Sequence, residues 1–188
     1  MKEIEVKAKL NNKAEVIKKL EALGCKFEPI VTQKDEVYVV KVGSTLDDYL
    51  SNPVFLRIRV VDDSKALFTA KNRLRQLDAI EHEVIVDSVE EMRQALLIMG
   101  YEFAVQVNKT RLKTYYNGLE VCIDEVEDLG TFIEMEKLIA ETDSKTEVGS
   151  QKIQEELFSL LVSFGVKMED RVMKGYDILM LEKQYSRN

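Results

Sequence analysis

Residues 2–10 read KEIEVKAKL, and polar and apolar side chains alternate through them without a break. That period belongs to a strand with one face buried. Glu3, Glu5, Lys7 and Lys9 fall on one face, and Ile4, Val6, Ala8 and Leu10 on the other. Outward from this stretch, 34–42 is rich in valine and tyrosine and reads as a strand, strand-like runs follow at 54–61, 65–72 and 78–87, and three or four further strands fit within 101–117, 119–126 and 131–139. Asn117-Gly118 and Asp128-Leu129-Gly130 mark the turns between the last of these.

Helical spacing interrupts the strands at four places. Asn12 is placed to cap a helix carrying Val16, Ile17, Leu20 and Leu23, stopped by Gly24. Ser88 opens another with Val89, Met92, Leu96 and Met99 on one face, ended by Gly100. A longer helical pattern runs from Asp143 to Phe164, and a shorter one covers 176–185. The stretch 43–53 reads as a loop with room for one helical turn. These elements predict an α+β fold, in which about eight antiparallel strands carry helices on the outside.

The polar positions of the strands hold the chemistry. Arg57 and Arg59 stand opposite Leu56, Ile58 and Val60, and Thr69 projects with Lys71. Glu81 pairs with Glu83, Lys109 with Arg111 and Lys113, and Glu134 with Glu136, while Asp124 follows Cys122. A solvated sheet face usually mixes signs, because like charges repel. Here like charges recur at i and i+2, about 6.6 Å apart along a strand. Carboxylate clusters call for a divalent cation, and clustered bases call for a polyanion. Closing the sheet with this face inward makes a polar tunnel, and barrels of about eight strands have room inside for one small ligand. The apolar face then turns outward and needs a coat of helices. An oligophosphate bridged by magnesium or manganese suits such a lining, which points to phosphoryl or nucleotidyl chemistry.

Composition narrows the classes further. The 188 residues are 45% hydrophobic and 32% charged, sufficient for one domain over 1–188 with C-terminal helices from about 143. Asp and Glu outnumber Lys and Arg by 34 to 27, for a net charge of −7. That balance argues against nucleic acid or an anionic membrane as partner. No apolar run reaches 18 residues, and the first ten lack the apolar core of a signal peptide, so the expected location is the cytoplasm. Cys25 and Cys122 are expected to be buried thiols. His82, between Glu81 and Glu83, is expected to face outward.

Glu3-Ile4-Glu5-Val6-Lys7 has the form E-x-E-x-K and resembles the signature of the CYTH superfamily, the triphosphate tunnel metalloenzymes. The order that follows matches as well: Arg57-x-Arg59, Lys71, Glu81-x-Glu83, Lys109-x-Arg111, Asp124 and Gly130-x-Phe132-x-Glu134-x-Glu136. Gln33-Lys34-Asp35 with Tyr38, and Asp124-Glu125-Val126 with Leu129-Gly130, look most like the class IV adenylate cyclase (CyaB-like) branch. The resemblance implies an eight-stranded antiparallel β-barrel holding a triphosphate. Glu3, Glu5, Glu81, Glu83, Asp124, Glu134 and Glu136 would hold one or two Mg2+ or Mn2+ ions. Lys7, Arg57, Arg59, Lys71, Lys109 and Arg111 would grip the phosphates, with Lys174 as an extra contact from the C-terminal segment. It also implies a possible homodimer.

Three departures from the pattern border the tunnel mouth and bear on nucleoside recognition; in one, Ala79 and Ile80 stand where a basic residue often precedes the Glu pair. Asn72-Arg73-Leu74-Arg75 stands where relatives often continue Gly-Pro, and Gly175 replaces the usual serine ahead of Tyr176.

In a cyclase the ribose 3′-hydroxyl attacks the α-phosphorus of ATP and pyrophosphate leaves. In a triphosphatase, for inorganic, thiamine or nucleoside triphosphate, water attacks the terminal phosphorus instead. Lys7 or Lys9 is the candidate catalytic base. A non-catalytic polyphosphate- or nucleotide-binding protein would need the same bases without turnover.

Overall fold

The alternation in the first stretch becomes β1 (Lys2–Lys9), whose even-numbered residues through Ala8 are buried. The computed structural model describes residues 2–40, 49, 51–75, 77–139 and 147–186. In chain order, α1 (Lys13–Ala22) is followed by β2 (Val31–Val40), β3 (Val54–Val61), β4 (Lys65–Arg75) and β5 (Asp78–Val86). Then come α2 (Val89–Ile98), β6 (Tyr101–Tyr116), β7 (Leu119–Val126), β8 (Gly130–Ile139), α3 (Glu147–Ser163), the two-residue β9 (Arg171–Val172) and α4 (Tyr176–Tyr185).

The strands pair antiparallel in the order β5-β4-β3-β2-β6-β7-β8-β1, and β1 pairs with β5 to close an eight-stranded barrel. The closing seam is short: Lys2, Glu3 and Ile4 meet Ile80, Ala79 and Asp78. Farther along, the same edge of β1 is taken by β9, through Lys7 and Ala8. The seam carries a buried ion pair, Lys2 Nζ to Asp78 Oδ2 at 2.8 Å. Lys2 also donates to Ser150 of α3, and Gln154 of α3 donates to Asp78.

The apolar faces turn outward and are coated, as the alternation requires. Ile4, Val6, Val121, Ile123, Ile133 and Met135 form one core with Val16 and Leu20 of α1 and Leu157, Phe158 and Leu161 of α3. On the other side Tyr38, Leu56 and Ile58 pack against Leu96 of α2. The fourth helix behaves differently. Leu181 of α4 packs on Val37, Phe55 and Val105, and Tyr176 on Val107, Val126 and Phe132. Val37, Phe55 and Val107 also line the barrel's interior, so α4 caps one end of it.

Several local expectations change. Residues 101–116 form one long strand, which settles the expected three or four strands at three, and β4 extends three residues past the expected end. Leu23 and Met99 sit at C-caps, where their helices have already ended, and are half exposed. Asn12 makes no cap bond; its side chain donates instead to the Gly165 carbonyl after α3, at 3.2 Å. Ser88 does cap α2, accepting from the Glu91 amide. The expected loop at 43–53 and helix start at 143 fall largely outside the described residues. Cys25 and Cys122 are free and buried, and His82 is exposed.

Candidate active site in the barrel interior

Register converts the same-sign runs into opposite-sign pairs. Arg59 lies directly across from Asp35, Arg111 from Asp124, Lys71 from Glu81, and Lys7 from Glu134. Each opposed couple is an ion pair. Arg59 donates twice to Asp35, both at 2.7 Å, and Arg111 donates to Asp124 at 2.7 and 2.6 Å. Lys7 Nζ sits 3.0 Å from Glu134 Oε1, and Arg111 donates to the other oxygen of Glu134 at 2.5 Å. Lys71 pairs with Glu81, whose second oxygen accepts from Arg57 at 3.4 Å. Strand pairing therefore pre-places bidentate, charge-assisted bonds that hold the guanidinium groups in fixed planes.

Two opposed couples repel instead. Glu136 faces Glu5 on one side and Glu120 on the other, making a row of three carboxylates across β1, β8 and β7. Burial, with Glu3, Glu120 and Glu5 around it, pushes the Glu136 carboxyl up to about 8. Burial and Glu81 push Glu3 up to about 7, and burial with Glu134 raises Glu5. In contrast, the burial that would raise Glu81 is outweighed by Lys71 and Arg57, which hold it down to about 2. Glu134 is likewise held well below the usual carboxylate range: Lys7 and Arg111 override its burial.

This carboxylate row fits a hard divalent cation. Its donors are all oxygens, carboxylate stands directly opposite carboxylate at Glu136, and the Cβ atoms of opposed residues lie within cross-strand reach. Glu5 Oε1 is buried 3.1 Å from the Lys7 ammonium without hydrogen-bond geometry. Among the described residues no three such side chains are already drawn into one coordination group. Magnesium suits that situation, since it is commonly held by one or two carboxylates with water and substrate phosphate oxygens completing its shell.

The structure brings most of the expected site residues into this one cavity: Glu3, Glu5, Lys7, Arg57, Arg59, Lys71, Glu81, Glu83, Lys109, Arg111, Glu134 and Glu136. Three fall elsewhere. Lys9 ends β1 and is exposed, outside the lining. Lys174 points its ammonium out to Glu182, at 2.6 Å, and only its backbone carbonyl reaches Lys7. Asp124 is completely buried behind the bases, its oxygens taken by Arg111 and Lys109, so it positions cations rather than facing the lumen. Lys7 is also a poor base. Burial would lower its pKa, but Glu5 and Glu134 outweigh burial and hold the ammonium charged. Lys109 is the lysine whose ammonium is destabilised, by burial and by Arg111.

Other lining residues went unread in the sequence. Asp35 hides in a valine-rich strand, yet shares its parity with the lumen-facing Val37. Glu120 precedes Cys122 and Asp124 at the same two-residue interval, and Arg73 follows Lys71 likewise. Tyr176 and Asp177 enter from the cap helix, which no strand parity could reveal. Asp177 accepts from Arg73 and, at 2.5 Å, from the Tyr49 hydroxyl.

Comparison with known proteins agrees with this architecture. A protein of Methanocaldococcus jannaschii named as a candidate adenylate cyclase is 29% identical over 181 residues, covering 94% of this chain and 97% of its own length. A solved structure from Pyrococcus horikoshii matches with a TM-score of 0.78 at 27% identity, over 96% of this chain and 99% of that one. A Hippeastrum protein, described as a candidate adenylyl cyclase with a dominant triphosphatase activity, matches at TM-score 0.59 and 19% identity, over 93% and 91% of the two chains. The family model for the CYTH domain matches residues 1–176, ending at the first residue of the cap helix. On that match over nearly its whole length, the chain belongs to the CYTH domain family.

Proposed function

We propose that this protein is a divalent-metal-dependent enzyme that acts on triphosphates inside the barrel, and that its reaction is the class IV cyclisation of ATP to cyclic AMP and pyrophosphate. The observation that carries the reading is a single cavity lined both by Lys7, Arg57, Arg59, Lys71, Lys109 and Arg111 and by the crowded carboxylates Glu3, Glu5 and Glu136. Six bases in one lumen have no use for a neutral ligand. They neutralise phosphate oxygens and the charge that spreads over them in the transition state.

A magnesium or manganese ion held by Glu3, Glu5 and Glu136 would supply charge neutralisation and activation of the attacking oxygen. Arg59 and Arg111, each locked by a bidentate carboxylate, orient the phosphate chain with little reorganisation. In the cyclisation a bond forms from the ribose 3′-oxygen to the α-phosphorus, and the bond from that phosphorus to the bridging oxygen breaks. The hydroxyl proton leaves to solvent as that bond forms. The resemblance to the Methanocaldococcus protein supports cyclisation. The Hippeastrum protein's dominant triphosphatase activity favours a second reading, with water attacking the terminal phosphorus in the same lumen.

Purified protein incubated with ATP, and separately with tripolyphosphate, in magnesium or manganese decides between them when products are resolved by anion exchange. Cyclic AMP with pyrophosphate is the expected result. Orthophosphate without cyclic AMP makes the protein a triphosphatase, and no turnover of either substrate defeats the enzyme reading.

A further inference from the structure

The cap helix places in the lumen one polar group that none of the ion pairs uses. Tyr176 opens α4, is 93% buried by its 7% exposure, and its hydroxyl finds no hydrogen-bond partner among the described residues. The ring is clamped. It meets Phe132 edge-to-face with centroids 5.1 Å apart, and the Lys7 and Lys109 ammonium groups lie 4.0 and 5.0 Å from its centroid. Two cations against one aromatic ring fix its orientation. Burial, reinforced by Glu134 and Asp124, keeps the phenol protonated, so the group is a donor in search of an acceptor.

The nearby carboxylates are already engaged. Both oxygens of Glu134 are held, by Lys7 and Arg111, and those of Asp124 by Arg111 and Lys109. A buried hydroxyl without a partner destabilises the fold that holds it. An anionic oxygen entering beside it would meet three cations and one O–H donor. The amino end of α4 points the same way: Gly175 and Tyr176 border the cavity, and no side chain caps the helix. Such an end favours negative charge.

We propose that Tyr176 is a phosphoryl-binding residue, its hydroxyl donating to an oxygen of the oligophosphate gripped by Lys7, Lys109 and Arg111. The cap helix is then part of the binding site and not only its closure. This rests on the triphosphate reading above. It assigns the capped end of the barrel to a phosphoryl group, leaving any nucleoside toward the open end.

Tyr176→Phe removes the hydroxyl and leaves the ring packing in place. Tripolyphosphate binding is measured by calorimetry without divalent metal, and the melting temperature is measured without ligand. The expected result is a dissociation constant raised roughly 10- to 100-fold, as for loss of a hydrogen bond to a charged group. The ligand-free melting temperature should stay equal or rise, because an unsatisfied buried group has gone. Unchanged affinity overturns the assignment to Tyr176 alone, and so does a lower ligand-free melting temperature with unchanged affinity. If the unaltered protein binds no tripolyphosphate, the triphosphate reading fails, and this one with it.

Discussion

Glu136 shows how one residue's surroundings set the behaviour of the site. Its carboxyl is pushed up to about 8, and that of Glu3 to about 7, against an ordinary value near 4.5. The folded protein therefore retains protons that the unfolded chain has released between about pH 5 and pH 8. Stability must fall as pH rises through that window. The metal-free melting temperature is expected to decrease from pH 6 to pH 8.5, and Glu136→Gln should flatten the decrease. Affinity for Mn2+, followed by calorimetry, should run the opposite way and strengthen over the same range, because the ligands must be deprotonated. A Mn2+ affinity that is independent of pH would remove Glu3 and Glu136 from the ion's shell.

At the scale of elements, two of the three departures from the family pattern prove to be one feature. Arg73, at the position where relatives often continue past the lysine with Gly-Pro, reaches Asp177 on α4 and the Tyr49 hydroxyl, the latter at 3.1 Å. Its guanidinium also stacks on Phe55, 4.3 Å from the ring centroid. Gly175 has an ordinary φ of −66°, so no backbone demand explains it. A Cβ there would collide with the Asp177 carboxylate. The glycine thus makes room for the Asp177–Arg73 pair that fastens the cap to β4. Gly175→Ala should cost about 1–3 kcal/mol in chemical denaturation, the usual range for overpacking. The same change made in an Asp177→Ala background should cost little more, since the colliding atoms are gone, and a double-mutant cycle reads the difference.

The whole molecule depends on a seam of three residue pairs between β1 and β5. Lys2 and Asp78 are 3% and 1% exposed there, joined to α3 through Ser150 and Gln154. Removing one partner of a buried ion pair strands the other, at about 3–5 kcal/mol. Lys2→Met should therefore lower unfolding free energy by about 3 kcal/mol, and Lys2→Met with Asp78→Asn should recover much of it. If the single change proves neutral in urea denaturation, closure does not depend on this pair. No helix among the described residues is long and apolar enough to cross a membrane.

The strand periods, the outward turn of the apolar face and the convergence of twelve charged residues on one lumen were legible in the chain, because alternation at a period of two assigns every side chain to a face. So was the need for counter-ions, since same-sign neighbours two residues apart cannot all face water or each other. The sequence alone could not say which charges meet. Arg59 finds Asp35 and Arg111 finds Asp124 only through register, and the same register sets Glu5, Glu136 and Glu120 in a repelling row. Parity along a strand also cannot say where a strand leaves the barrel, which is why Lys9 falls outside the cavity although it shares a face with Lys7. Tyr176 and Asp177 were decided by the docking of α4 over one mouth, a long-range packing event in which Asp177 meets Arg73, 104 positions away, and α4 also supplies the Glu182 that draws Lys174 outward. Local pattern fixes the face a residue lies on, whereas its partners are set by the closure of the barrel.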